Sequence, residues 1–442
     1  MEQKISKDTI LKDCMNQILR SVVLLLVGIL AGYLLLMMAY LLPVEKMQEN
    51  LLKSIDVLTE EQEYHKVIPG YNSTQLDNFT DSWMLGIAVY NNSLPIWERA
   101  LKCTSADYGE GPLNGLVHYL RERGSINGEI EYTRYWHGYL IILKPLLLFF
   151  NYADLRVLNM MLDILLMFVV FNTLKDMGFE REAWGYIVAV LFIVPVVIPL
   201  SIQFSSMFYL TNIALWILLK KYNQIVEKKG MILYFQMIGM AASYFDFLTY
   251  PIASLGIPMV CLFLLDSDNT LWLKIRKLIY LSISWGFGYS AMWAGKWVLS
   301  TLVLKDNVIA NAISQILLRS SHVQNGEKIS TMDTWIRNLE FFFKKPYLIL
   351  IVICFIVAII GIYMNRKMII YVIVDTFPFM LIAAMPFAWY TFAEQHSYEH
   401  HWFTFRGLMT SVFACTCICA RLYRTKSNSE NSLKQGYRQG DK

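Results

Sequence analysis

Asp77 and Asp81 stand four residues apart in a polar stretch, Tyr71-Asn72-Ser73-Thr74-Gln75-Leu76-Asp77-Asn78-Phe79-Thr80-Asp81-Ser82-Trp83. On a helix that spacing puts both carboxylates on one face. Two close carboxylates can hold a divalent cation, and one alone can serve as a general base. The same residues also have a purely structural reading. Asp81 then caps a helix beginning near Trp83, and Asp77 closes an Asx turn. Further on, Arg134-Tyr135-Trp136-His137-Gly138, with Lys144 close behind, gathers cations and aromatic rings. That mixture suits a lipid-linked phosphate with rings stacked on a sugar, and equally an aromatic belt with a snorkelling arginine. Near the end, His396-Ser397-Tyr398-Glu399-His400-His401-Trp402-Phe403-Thr404-Phe405-Arg406 places His396 and His400 at i,i+4. The pattern departs from the zinc motif H-E-x-x-H, because no Glu follows the first His. Hydrogen bonding of these imidazoles to a phosphate or sugar, beside Arg406, fits better than a zinc site.

Three more carboxylates, Asp163, Asp246 and Asp375, fall within apolar runs, where an ionisable group defaults to function or to a buried partner. Asp246 lies near the end of its run, on the side of the polar loops, with Lys296 as a candidate partner. Asp375 lies toward the opposite side and reads as structural. The 7 cysteines show neither a disulfide framework nor metal-type spacing.

These residues must be held by membrane helices. Of 442 residues 56% are hydrophobic and only 17% charged, with a mean hydropathy of +0.40. The apolar residues come in runs long enough to cross a bilayer. The expected spans are 21–42, 155–174, 184–200, 203–219, 231–250, 252–266, 278–298, 346–364, 368–388 and 404–420, about ten in all. The N-terminal segment carries Lys4, Lys7, Lys12 and Arg20. Short loops carry Lys175 and Arg181; Lys220, Lys221, Lys228 and Lys229; Lys274, Arg276 and Lys277; Arg366 and Lys367. The tail is basic as well. The turns near 201 and 251 hold no Lys or Arg. By the positive-inside rule both termini are cytoplasmic; the expected location is the plasma membrane. The net charge of +4 is spent in those loops, which gives no reason to expect a nucleic-acid partner.

The expected organisation is an all-α polytopic membrane protein. It has a cytoplasmic N-terminus (1–20), one transmembrane domain (21–425) and a disordered cytoplasmic tail (426–442). A large first outer loop, 43–135, contains short helices, and a smaller outer segment, 299–345, folds against it. Val44, Met47, Leu51, Ile55 and Leu58 make an amphipathic helix lying on the membrane or on the protein. Residues 138–150, short and interrupted by Pro145, are interfacial or re-entrant.

In this organisation the chain resembles the GT-C superfamily of integral-membrane glycosyltransferases. The resemblance rests on Thr80-Asp81-Ser82-Trp83, Arg134-Tyr135-Trp136-His137-Gly138, Phe245-Asp246-Phe247-Leu248-Thr249 and the His396–Arg406 turn. It departs from the family in one respect: many members carry the acidic residue close behind the first span, whereas Asp77 lies well beyond Pro43. The resemblance implies a polyprenyl-phosphate-linked sugar donor and a cell-surface glycan, lipid or protein acceptor. It also implies a loop-borne catalytic acid, Asp81 first and Asp77 second. Arg134, Trp136, His137, Lys144, Asp246, His396, His400 and Arg406 are the expected substrate-binding residues. The alternatives are a polysaccharide polymerase and a flippase or transporter of lipid-linked glycan, the latter using Asp163, Asp246 and Asp375 as a relay.

Overall fold

Backbone polar groups in hydrocarbon must be satisfied within their own segment, so apolar runs of this length fold as helices. A computed structural model describes residues 7–122, 126–266, 270–364 and 369–423. Lys4, the Arg366–Lys367 loop and the tail from Lys426, which enter the orientation argument, lie outside the described residues. Among the described residues six helices are long and apolar enough to cross a membrane: Leu11–Tyr40, Tyr152–Asp176, Ile202–Glu227, Lys345–Met364, Ile373–Phe392 and His401–Tyr423. The shortest has 20 residues, about 30 Å at the helical rise. Leu26, Leu30, Ile353 and Phe355 point outward from two of them, as side chains solvated by lipid do. The protein is an all-helical, multi-pass membrane protein.

The other apolar segments are helical as well. Residues 184–200 form the helix Glu180–Phe192 and a 3-10 turn, Ile198–Leu200, with Pro195 between them. Met231–Phe245 and Ile252–Leu265 are shorter helices, of 15 and 14 residues. Leu271–Leu304 runs unbroken for 34 residues. Leu140–Leu147, within 138–150, has 8 residues and a length of about 12 Å, less than half a hydrocarbon core.

Two of these helices approach unusually closely. A Cβ on Gly239 would lie 2.1 Å from the Trp285 carbonyl oxygen, and one on Gly288 would lie 2.2 Å from that of Gln236. Such small residues let backbones meet where packing, not hydrophobicity, drives association. Gly239→Val and Gly288→Val are therefore expected to abolish recovery of folded protein from membranes. Gly286→Ala, on the same helix with open space at its Cβ, is expected to leave the yield unchanged. Monodisperse yield after detergent extraction measures both.

At one end of the bundle the first polar segment folds as a layer of short helices: Glu45–Leu52, Ile55–Glu61, Asn78–Val89, Ile96–Lys102 and Gly111–Arg121. A hairpin pairs Thr104–Asp107 with Gly128–Glu131. The amphipathic stretch breaks into two helices and buries Met47, Leu51, Ile55 and Leu58. Asn50 Nδ2 donates to the Leu147 and Leu148 carbonyls, at 3.0 Å each, so the stretch lies on the protein.

The second polar segment contains Val308–Arg319, a hairpin at Val323–Lys328, and Thr331–Leu339. It leans chiefly on the 394–404 turn. Asn338 Nδ2 donates to the Ser397 carbonyl at 3.0 Å, and Thr404 Oγ1 donates to Asn338 Oδ1 at 2.7 Å. Arg134 Nη1, donating to Asn311 Oδ1 at 3.2 Å, joins it to the first segment. At the far end of the bundle Asp375 takes Lys274 at 3.4 Å and also pairs with Arg421, tying three helices together.

Candidate active site

Asp77 is the N-cap of Asn78–Val89, and its Oδ1 accepts from the Thr80 N–H at 3.1 Å. Its Oδ2 accepts from Gln203 Nε2, and its own N–H donates to Ser201 Oγ at 3.1 Å. The cap thus fastens the polar layer to the start of Ile202–Glu227. Asp77 also lines a cavity. Burial pushes Asp77 up to about 6, against the pull of the Thr80 bond, the Arg406 charge and Gln203.

Asp81, one turn on, does not line that cavity. Both its oxygens accept from the Ile202 N–H at 3.0 Å, and Oδ2 also accepts from the Tyr152 hydroxyl at 2.5 Å. Burial pushes it up to about 7, opposed by the Tyr152 and Ile202 bonds and the Arg156 charge. Arg156 is held by a bidentate bond to Glu61, at 2.7 and 2.8 Å, and by Asn78 at 2.9 Å. The carboxylate satisfies the orphan Ile202 amide at the start of Ile202–Glu227, which is a structural task. The two aspartates therefore have separate partners and do not fit the divalent cation their spacing suggests. Among the described residues no group of three or more His, Cys, Asp or Glu is placed to hold a metal ion.

The cavity is about 140 Å³. Asp77, Gln203, His137, His396, His400 and Arg319 supply its polar groups, and Tyr64, Trp83, Tyr132, Tyr135, Phe247 and Trp402 are among its rings. His137 sits at φ +54° and accepts at Nδ1 from the Tyr139 hydroxyl at 3.2 Å. Its Nε2 donates to the Tyr132 carbonyl at 2.8 Å. Both ring nitrogens are spent, and burial pushes its pKa down to about 3, so it is neutral.

Other sequence-derived candidates have different employment. The Trp136 ring is fully buried, and its Nε1 donates to the Met292 carbonyl at 2.8 Å. Lys144 Nζ donates to the Ala88 carbonyl at 2.6 Å and lies 5.1 Å from the Tyr40 ring. It caps the C-terminus of Asn78–Val89, and burial lowers its pKa to about 7. Lys296 does the same for Ile96–Lys102, donating to the Leu101 carbonyl at 2.8 Å and not to Asp246. Asp246 closes a turn with the Thr249 N–H, at 3.0 and 3.1 Å, and the Thr249 hydroxyl. Arg406 donates to the Trp402 and Ser73 carbonyls, at 3.1 and 3.3 Å, and stacks 4.1 Å from the Phe204 ring. It braces the turn before Asp77. None of these five lines the cavity.

A second hollow adjoins the first. An apolar groove of about 270 Å³ is walled by Trp285, Tyr289, Trp293, Trp297, Trp389 and Phe392. Arg134 and Arg319 stand in it, and Tyr135 and Arg319 line both groove and cavity. Arg134 stacks 4.9 Å from the Tyr132 ring. Sequence reasoning missed Arg319, Gln203 and the groove. The groove had a signal, since Trp285, Tyr289, Trp293 and Trp297 recur every four residues along one helix face. Arg319 had none, being one cation at the end of a short helix. No protein-family model, curated protein or solved structure matches the chain.

Proposed function

We propose that this protein is a membrane glycosyltransferase of GT-C type. It moves a sugar from a polyprenyl-phosphate-linked donor to a cell-surface glycan, lipid or protein acceptor. One observation carries the reading. A groove walled by tryptophans adjoins, at Tyr135 and Arg319, a small polar cavity lined by a carboxylate and aromatic rings. A polyprenyl chain suits the groove, a phosphate suits Arg319 with Arg134 nearby, and a sugar suits the ring-lined cavity.

In this mechanism the base is Asp77, since Asp81 lies behind the cavity wall. The Asp77 carboxylate takes the proton of the acceptor hydroxyl as that oxygen bonds to the anomeric carbon. The bond from the anomeric carbon to the phosphate oxygen breaks, and its electron pair leaves on the lipid phosphate. Arg319 offsets the charge that gathers there. Water then removes the proton from Asp77. In the proposed topology the chain crosses the plasma membrane about ten times, both termini are cytoplasmic, and the cavity faces outward. Polymerisation of a lipid-linked glycan would use the same site.

A flippase relay has less support. Asp246 is tied into a turn and Asp375 into ion pairs. Asp163 is buried, with no hydrogen-bond partner at either oxygen among the described residues.

Native mass spectrometry of the detergent-solubilised protein tests the assignment. Wild type is expected to retain a polyprenyl-phosphate-class lipid, and Arg319→Ala to lose it while keeping bound phospholipid. Phospholipid alone on both proteins would contradict the proposal.

A further inference from the structure

Arg319 is held in an uncommon way. Its Nη1 lies 3.4 Å from His396 Nδ1 and 3.2 Å from His400 Nε2. The nearest carboxylate, Glu399 Oε2, is 3.9 Å away and takes Gln395 Nε2 at 2.8 Å. The tautomer of His396 follows from its other contact. Its Nε2 is 2.9 Å from the Leu248 carbonyl oxygen, which can only accept, so Nε2 carries the hydrogen and Nδ1 presents a lone pair. Leu248 holds that carbonyl in place from a left-handed backbone position, φ +66°, inside the turn that Asp246 and Thr249 close. Burial keeps both imidazoles neutral, lowering His400 to about 4 and His396 also below its usual value.

We infer that His396 and His400 are positioning residues: their lone pairs aim Arg319 at the junction of groove and cavity, where Glu399, 3.9 Å from Nη1, offsets only part of the charge that meets a phosphate head group. This rests on the proposed lipid-phosphate donor and goes beyond it. A carboxylate in place of the imidazoles would fix the guanidinium equally well but would neutralise it and repel an anion. Two neutral acceptors orient the guanidinium without adding a second negative charge beside it. The Asp246 turn then acquires a purpose, since it fixes the carbonyl that sets the His396 tautomer.

The test is a fluorescence titration of the full-length protein in zwitterionic nanodiscs, because four of the groove residues are tryptophans. The probes are methyl dodecyl phosphate, whose single charge is constant, and dodecanol, which has the chain alone. Wild type is expected to prefer the phosphate ester by about tenfold or more, the scale of a charge-assisted hydrogen bond. His396→Ala and His400→Ala are each expected to lose most of that preference with dodecanol affinity unchanged. His396→Asn places an oxygen where Nδ1 stood, and His400→Gln places one where Nε2 stood; both are expected to restore it.

Absence of preference in wild type, or its persistence in Arg319→Gln, would overturn the phosphate site itself. Loss in Arg319→Gln with full preference in both alanine variants would leave that site standing and overturn the role of the histidines. Dodecanol affinity reports folding. If the alanine variants fail to fold, Asn and Gln variants that bind dodecanol but not the phosphate ester would overturn the role, and variants that bind both would support it.

Discussion

Asp77→Asn is expected to reach the membrane in wild-type amounts and to lose transfer activity by a factor on the order of a hundred or more. The reasoning separates two roles that one side chain holds. As N-cap, Asp77 accepts from the Thr80 N–H, and asparagine caps about as well as aspartate. The Asn amide oxygen can keep that bond, so the helix start survives. The substitution removes the negative charge, and with it the proton acceptor. A residue that only capped the helix would leave activity near normal. The wild-type pH profile gives an independent check. The base works only when ionised, and burial holds Asp77 at about 6. Transfer (kcat/KM) is therefore expected to fall as pH drops through about 6. Restoration of a surface glycan in a deletion strain, with membrane protein level measured alongside, reads the first effect.

Asp81→Ala is expected to damage the fold and not the chemistry. Removing the carboxylate strands the part-buried Ile202 N–H and leaves the Tyr152 hydroxyl only the Leu200 carbonyl, 3.4 Å away. The unsatisfied amide alone costs about 1–3 kcal/mol, and the weakened Tyr152 bond adds to it. Set against a typical total of about 5–15 kcal/mol, that is a large fraction. The apparent Tm of purified protein should fall steeply, whereas Asp81→Asn, which keeps an acceptor oxygen, should be far milder. The pH dependence carries a definite sign. Burial raises Asp81 to about 7 in the folded protein, against about 3.9 in an unfolded chain. The folded state therefore binds this proton more tightly. The stability it gives is complete below about pH 4 and is lost as pH rises through about 7. Asn cannot ionise, so the fall in Tm on going from about pH 5 to about pH 8 should be smaller in Asp81→Asn than in wild type. An Asp81→Asn protein that folds normally yet transfers no sugar would return the base to Asp81.

Much of this architecture was legible in the chain because it depends on local composition. The apolar runs become helices, and the shortness of 138–150 and its Pro145 leave a helix of 8 residues there. The stretch beginning at Val44 buries the residues its spacing selects, although Ser54 divides it into two helices. The polar residues were harder to assign, because their roles depend on partners far away in sequence. Asp77 and Asp81 differ only in what Ile202–Glu227 and Tyr152 offer them. Lys144 and Lys296 read as phosphate or carboxylate partners until helix ends are seen behind them. Arg406 meets Ser73 across 333 residues. Arg319 is assigned only by the two imidazoles and the groove that converge on it.

The most direct test of the central claim is a cryo-EM map of the protein with a polyprenyl-phosphate-linked sugar. The account predicts the chain along Trp285, Trp293 and Trp297, the phosphate within hydrogen-bond reach of Arg319, and the sugar beside Asp77. A lipid phosphate bound elsewhere, with the groove and cavity empty of it, would contradict the account.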